Sequence, residues 1–150
     1  MRDSDIDMKW LLVTALVAGD SYLAAMWVDN RLSSHKFNDL KLVGQILTTK
    51  SPAWIIMGLV NHYGFSAVVS FIYARWAYRR LPGPRWLKGV LFMQIENALL
   101  YPGAAFLEPR HAGMRSGQVP TLFSWKSFWG QAVRHVAFGA ALGALWKPKR

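Results

Sequence analysis

The chain has 150 residues and a net charge of +10, with 53% hydrophobic residues, 14% aromatic residues, eight Trp and no Cys. One compact unit is the default at this length, disulfides and thiolate metal sites are excluded, and apolar sequence grouped this densely leaves too little polar helix face for a soluble bundle. The basic residues flank apolar spans, so they are expected to meet anionic lipid, and a nucleic-acid partner is not expected.

The first apolar stretch, residues 10–28, reads WLLVTALVAGDSYLAAMWV. It matches the ~20 residues needed to cross ~30 Å of hydrocarbon at ~1.5 Å per residue. It follows three acids (Asp3, Asp5 and Asp7), contains Asp20 and has no A-x-A-like site after it, so it reads as a retained helix and not a signal peptide. The loop that follows places Phe37, Leu40, Val43, Ile46 and Leu47 at helical period among Asn38, Asp39 and Lys41. That pattern predicts a short amphipathic helix on the membrane surface.

Residues 52–73 form the second span and carry Asn61-His62 near their middle. A short connector then gathers Arg75, Arg79, Arg80, Arg85 and Lys88. The third span, residues 86–106, holds Glu96-Asn97, and Pro102 lies one turn further on. Proline removes a backbone donor and clashes with the carbonyl four residues back, here that of Ala98, so a kink is expected. Residues 108–121 are rich in Gly, Pro, Arg and Ser and predict an irregular, solvent-facing loop. His35 and His111 fall in loops and read as surface residues. The fourth span, residues 128–146, contains Arg134-His135, and Lys147, Lys149 and Arg150 close the chain. With four crossings the basic connector shares a side with both termini, and the positive-inside rule makes that side cytoplasmic.

The two halves resemble each other. Trp10-Leu11 and Trp86-Leu87 open the first and third spans, and an acid with a small polar neighbour follows ten residues after each Trp, Asp20-Ser21 and Glu96-Asn97. The second and fourth spans share H-x-x-F-[SG]-A-x-x-[SG]-x-[IL]-[YW], from His62 and from His135. Two related hairpins, residues 10–78 and 86–146, follow from this, with a pseudo-two-fold axis along the membrane normal. Ser66 and Ser70 follow His62 at four-residue spacing, as Gly139 and Gly143 follow His135. Such stripes let helices approach closely, so the second and fourth spans are expected to cross near the axis.

Each span thus carries an ionisable residue near its middle: Asp20, His62, Glu96 and His135. A charge there costs at least ~2.5–3.5 kcal/mol on insertion scales. These four, with Asn61, Asn97 and Arg134 around them, are the candidate buried polar site. Either His can instead serve only as a hydrogen-bond partner for a neighbouring helix. Arg134 is expected to snorkel to the interface or to pair with Glu96 or Asp20.

The stretch from Glu108 to Trp146, with Gln118-Val119-Pro120 and then Arg134-His135-Val-Ala-Phe138-Gly139 and Gly143, resembles part of a group of small four-helix bacterial membrane proteins of unknown function. Those proteins carry H-x-x-[FY]-G-x-x-x-G in the last helix. The resemblance covers about half the chain and implies a bacterial inner-membrane protein. It brings no activity and no catalytic residue, and Ser66 departs from the motif's Gly.

The expected architecture is an all-α, four-transmembrane-helix bundle with both termini in the cytoplasm and the lipid bilayer as its surroundings. The leading functional expectation is a non-enzymatic protein that binds or transports a proton or small solute. Asp20 and Glu96 would be the carriers and His62 and His135 their partners. A second reading is an accessory or scaffold subunit, as a homodimer or in a larger membrane complex. A third lets His62 and His135 ligate haem or a metal, although no cofactor is the leading expectation. The chain has no glycine-rich phosphate loop, no H-E-x-x-H and no nucleophile elbow.

Overall fold

Helix α1, Met8–Leu32, begins where the Asp7 side chain accepts the Trp10 amide at 3.1 Å, an N-cap that satisfies an otherwise orphaned donor. The computed structural model describes residues 6–33 and 36–148. Expectations resting on Asp3, Asp5, His35, Lys149 and Arg150 lie outside these residues. Among the described residues every regular element is helical: α2 (Asp39–Gly44), α3 (Ala53–Ile72), α4 (Arg85–Leu100), α5 (Gly103–Leu107), α6 (Ala112–Arg115) and α7 (Trp125–Leu145). A π-helical turn, Tyr73–Ala77, extends α3. Asn38 and Ser124 cap α2 and α7 by accepting the Lys41 and Ser127 amides.

Two helical stretches, Met8–Leu32 and Ala53–Ala77, are long and apolar enough to cross a membrane. Arg85–Leu100 and Gly103–Arg110 make a third if they are taken together across their 44° bend. That bend falls at Pro102, where the lost donor and the ring clash were expected to break the helix. Helix α7 does not reach the same apolarity, because Lys126, Gln131, Arg134 and His135 all lie in it. The four spans are therefore not equivalent.

Polar side chains are buried beside an apolar core, and much of the outer surface is apolar as well. Thr14, Ser66, Ser70, Asn97, Gln131 and Arg134 are buried, while Leu12, Leu16, Val60, Val68, Leu99 and Trp129 are exposed. A water-soluble fold does not expose so much contiguous apolar surface.

The long helices alternate in direction. At one end Trp10 Nε1 donates to the Leu145 carbonyl at 3.1 Å and Tyr73 Oη donates to the Arg85 carbonyl at 3.4 Å. This end gathers the start of α1, the end of α3, the start of α4 and the end of α7. At the other end Tyr101 Oη donates to the Ser124 carbonyl at 2.6 Å and α2 packs on the start of α3. Helix α7 lies between α1 and α4, and α1 lies between α7 and α3. Helices α3 and α4 do not close the ring along their lengths. They meet where the π-turn packs on α4, with Tyr73 and Phe92 ring centroids 5.4 Å apart.

The small-residue stripes do not face each other, contrary to the sequence expectation. Gly139 and Gly143 lie against Gly89 and Arg85 of α4, and a Cβ on Gly139 would stand 2.5 Å from the Gly89 carbonyl oxygen. Ser66 and His62 lie against Gly19 of α1. Each stripe closes its own hairpin, so α3 and α7 have no reason to cross.

Both long loops are drawn into the bundle. Asp39 and Phe37 are buried, and α2 packs on the start of α3. The third loop is not irregular throughout, and His111 is fully buried. His111 Nδ1 accepts the Met114 amide at 3.2 Å and its Nε2 faces the Leu42 carbonyl at 2.6 Å. Nδ1 must then be bare and Nε2 protonated. The amides of Ala112 and Gly113 donate to the carbonyls of Ile46 and Gln45. Loops one and three thus form one cap over the end of the bundle that holds the start of α7.

Candidate functional site

Arg134 is 1% exposed and bridges two carboxylates, Asp39 and Asp29, the second at 2.5 Å. Three local features place those acids. Asp29 sits in the last turns of α1. Asn30 exchanges two hydrogen bonds with the Phe37 backbone, at 2.8 and 3.0 Å, which folds the linker back on α1. Asn38 then caps α2 and sets Asp39 at its first position, 5% exposed. From the sequence, Arg134 is left either to snorkel to the interface or to pair with Glu96 or Asp20. It pairs with neither, because its height on α7 matches the end of α1 and not the middle. Two carboxylates around one Arg fit its fork of donors.

The network continues inward. Gln131 Nε2 donates to Asp39 at 2.5 Å, and Tyr22 Oη donates to Gln131 Oε1. The Tyr22 ring stands between the two imidazoles, 5.7 Å from His62 and 5.4 Å from His135, centroid to centroid. His62 Nε2 faces the Gly19 carbonyl at 3.2 Å. His135 Nδ1 lies 2.7 Å from the Gln131 carbonyl, and its Nε2 lies 3.0 Å from Glu96 Oε2. A carbonyl only accepts, so Nδ1 of His135 carries a proton. Glu96 Oε2 makes no hydrogen bond, so Nε2 faces it as an ionic contact only.

Glu96 and His135 line a cavity of about 230 Å³. Its floor is Tyr22, Gln131, His135 and Phe138, its sides are His62, Phe65, Ser66 and Val69 of α3 and Met93, Glu96, Asn97 and Leu100 of α4, and Asp39, Leu42, Val43, Ala104 and Leu122 roof it. It is the space left where α3 and α4 fail to pack. Asn97 is 6% exposed and its Nδ2 has no hydrogen-bond partner.

The structure brings His62, Glu96, His135 and Asn97 together around this cavity, and Asn61 lies at its edge with Nδ2 donating to the Val43 carbonyl at 2.9 Å. Asp20 is elsewhere: it is exposed on the outer face of α1 and accepts from Tyr63 Oη at 2.6 Å. Tyr22, Gln131, Asp29 and Asp39 were not singled out from the sequence. A buried Arg two turns into α7 signals a partner near the same bundle end, and Asp29 stands there. No spacing rule points to Asp39.

Among the described residues no group of three or more His, Asp or Glu side chains converges as a metal site needs. Both imidazoles already face partners through Nε2, and the Tyr22 ring separates them. The pair does not fit a shared metal or a flat macrocycle in this arrangement. The chain matches no protein-family model, no curated protein and no solved structure.

Proposed function

We propose that the chain is a four-crossing inner-membrane protein, built as two hairpins over residues 10–78 and 86–146, that binds a small ligand in the cavity between α3 and α4. The observation that carries this reading is a pair of buried polar atoms without hydrogen bonds in the wall of that cavity, the Asn97 amide nitrogen and Glu96 Oε2 beside His135. A buried donor left unmade costs about 1–3 kcal/mol, and a ligand oxygen would recover it. The Glu96–His135 contact lies in the same wall, so a ligand there would meet both groups. Asp20 is not part of this site.

A scaffold role has less support. The stripes that would dock a partner helix are engaged inside the chain, at Gly89–Gly139 and Gly19–Ser66. With both termini and the basic connector at one bundle end, the positive-inside rule makes that end cytoplasmic and the cap of loops one and three faces the opposite side.

The chain has no cysteine, so a single introduced thiol reports its own surroundings. Met93 and Leu142 both belong to the buried core, but only Met93 also lines the cavity. Met93→Cys in detergent-purified protein is expected to react with methyl methanethiosulfonate, and Leu142→Cys to stay inert. Equal inertness of both thiols would show that no ligand-sized space is reachable and would end this reading.

A further inference from the structure

We infer that the ligand is a membrane-dissolved amphiphile with an uncharged, oxygen-bearing head, which reaches the cavity sideways from the lipid through the gap between α3 and α4. The inference rests on the ligand-cavity reading above and adds the chemistry and the route.

The route follows from the helix order. Helices α3 and α4 pack on each other chiefly where the π-turn meets α4, so their gap is shut at the connector end. The cap of loops one and three covers the opposite end, with Asp39, Leu42 and Leu122 in the cavity roof. What is left open is the side. Phe65 on α3 and Leu100 on α4 both line the cavity, and both are more than half exposed on the apolar outer surface. A molecule arriving that way comes from the hydrocarbon phase.

The head chemistry follows from the charges. The two carboxylates lining the cavity are already paired, Glu96 by His135 and Asp39 by Arg134 and Gln131. Arg134 itself does not line the cavity. An anionic head therefore finds no free cation, and a cationic head finds no free carboxylate. Two cavity atoms make no hydrogen bond: the Asn97 amide nitrogen, a donor that calls for an accepting oxygen such as a carbonyl or hydroxyl, and Glu96 Oε2, an acceptor that a hydroxyl head would also meet. A dry cavity of about 150 Å³ accepts benzene, so about 230 Å³ holds a small head and the first part of a tail. The rest of the tail runs out between Phe65 and Leu100.

The test uses the full chain in mild detergent and follows thermal unfolding, since a ligand that binds only the folded state raises the midpoint. The probes are a twelve-carbon methyl ketone, the alkane of the same length, the twelve-carbon carboxylate and a four-carbon ketone. The long ketone is expected to raise the midpoint and the other three to leave it unchanged. Asn97→Leu should weaken ketone binding about tenfold, as the loss of one buried hydrogen bond predicts. Should that variant not fold, Met93→Cys capped with a propyl group after folding fills the same space and should abolish the shift. A response to the short ketone as strong as to the long one would overturn the lateral route, and a stronger response to the carboxylate would overturn the neutral head. No response to any probe while the Met93→Cys thiol still reacts would overturn the amphiphile and leave the cavity reading standing. An unreactive thiol would remove both.

Discussion

Arg134 is held by two carboxylates that would face each other if it were removed. Asp39 is buried, so Arg134→Leu leaves an unpaired negative charge with no route to water. Breaking a buried pair from one side costs about 3–5 kcal/mol, and that loss is expected in the unfolding free energy measured in detergent. Arg134→Lys should recover little of it. An ammonium is a point charge and cannot span Asp29 and Asp39 with two separate donor pairs. Full recovery by Lys would mean that charge alone, and not the fork, holds the network. The need for a partner was legible in the sequence, because an arginine in a span is costly alone. The partners themselves were not. Asp29 and Asp39 are 105 and 95 residues away from Arg134 in the chain, and Asp39 reaches it only because Asn30 folds the linker back. Asp20 misled for the same reason: its depth in the first span was readable, but whether it faced inward or outward was not.

At the scale of elements, the closest approach is between α4 and α7. A Cβ on Gly139 would press on the backbone of Gly89, which cannot swing aside as a side chain can. Gly139→Leu is therefore expected to destabilise by about 1–3 kcal/mol or more through overpacking. Gly64, on α3, would meet nothing within 4 Å. Gly64→Ala should instead stabilise by about 0.5–1 kcal/mol, through helix propensity alone. Thermal unfolding of both variants checks the contrast, and a harmless Gly139→Leu would mean that the two helices are not in backbone contact. The stripes of small residues were visible as sequence, and so was the break at Pro102. The partner of each stripe was not, since periodicity gives the face of a helix and not what lies opposite it. The cap of loops one and three was the least legible part. Its bonds join His111 to Leu42 and Gly113 to Gln45, and no local pattern announces a contact between two loops.

For the whole molecule the open matter is whether α7 crosses the membrane with the others. Its average apolarity argues against it, but an average runs round the whole helix. Ser127, Gln131 and Arg134 all turn inward and are buried, whereas Trp129, Val133 and Val136 turn outward and are exposed. Its 21 residues span about 31 Å, enough for the hydrocarbon core. The cost of Arg134 in lipid, ~2.5–3.5 kcal/mol at the centre of a span, is offset once Asp29 and Asp39 surround it. On the proposed four-crossing reading, α7 is a helix of moderate hydropathy that would enter the bilayer only with its partners, α1, α4 and Asp39. Single cysteines in the otherwise cysteine-free chain test this. Lys50→Cys and Arg115→Cys, at the capped end, are expected to react with a membrane-impermeant maleimide in intact spheroplasts. Arg79→Cys, in the basic connector, and Lys147→Cys, past the end of α7, should react only after permeabilisation. Labelling of Lys147→Cys from outside would mean that α7 turns back before crossing. It would also break the hydrogen bond from Trp10 to Leu145, on which the shared end of the two termini rests.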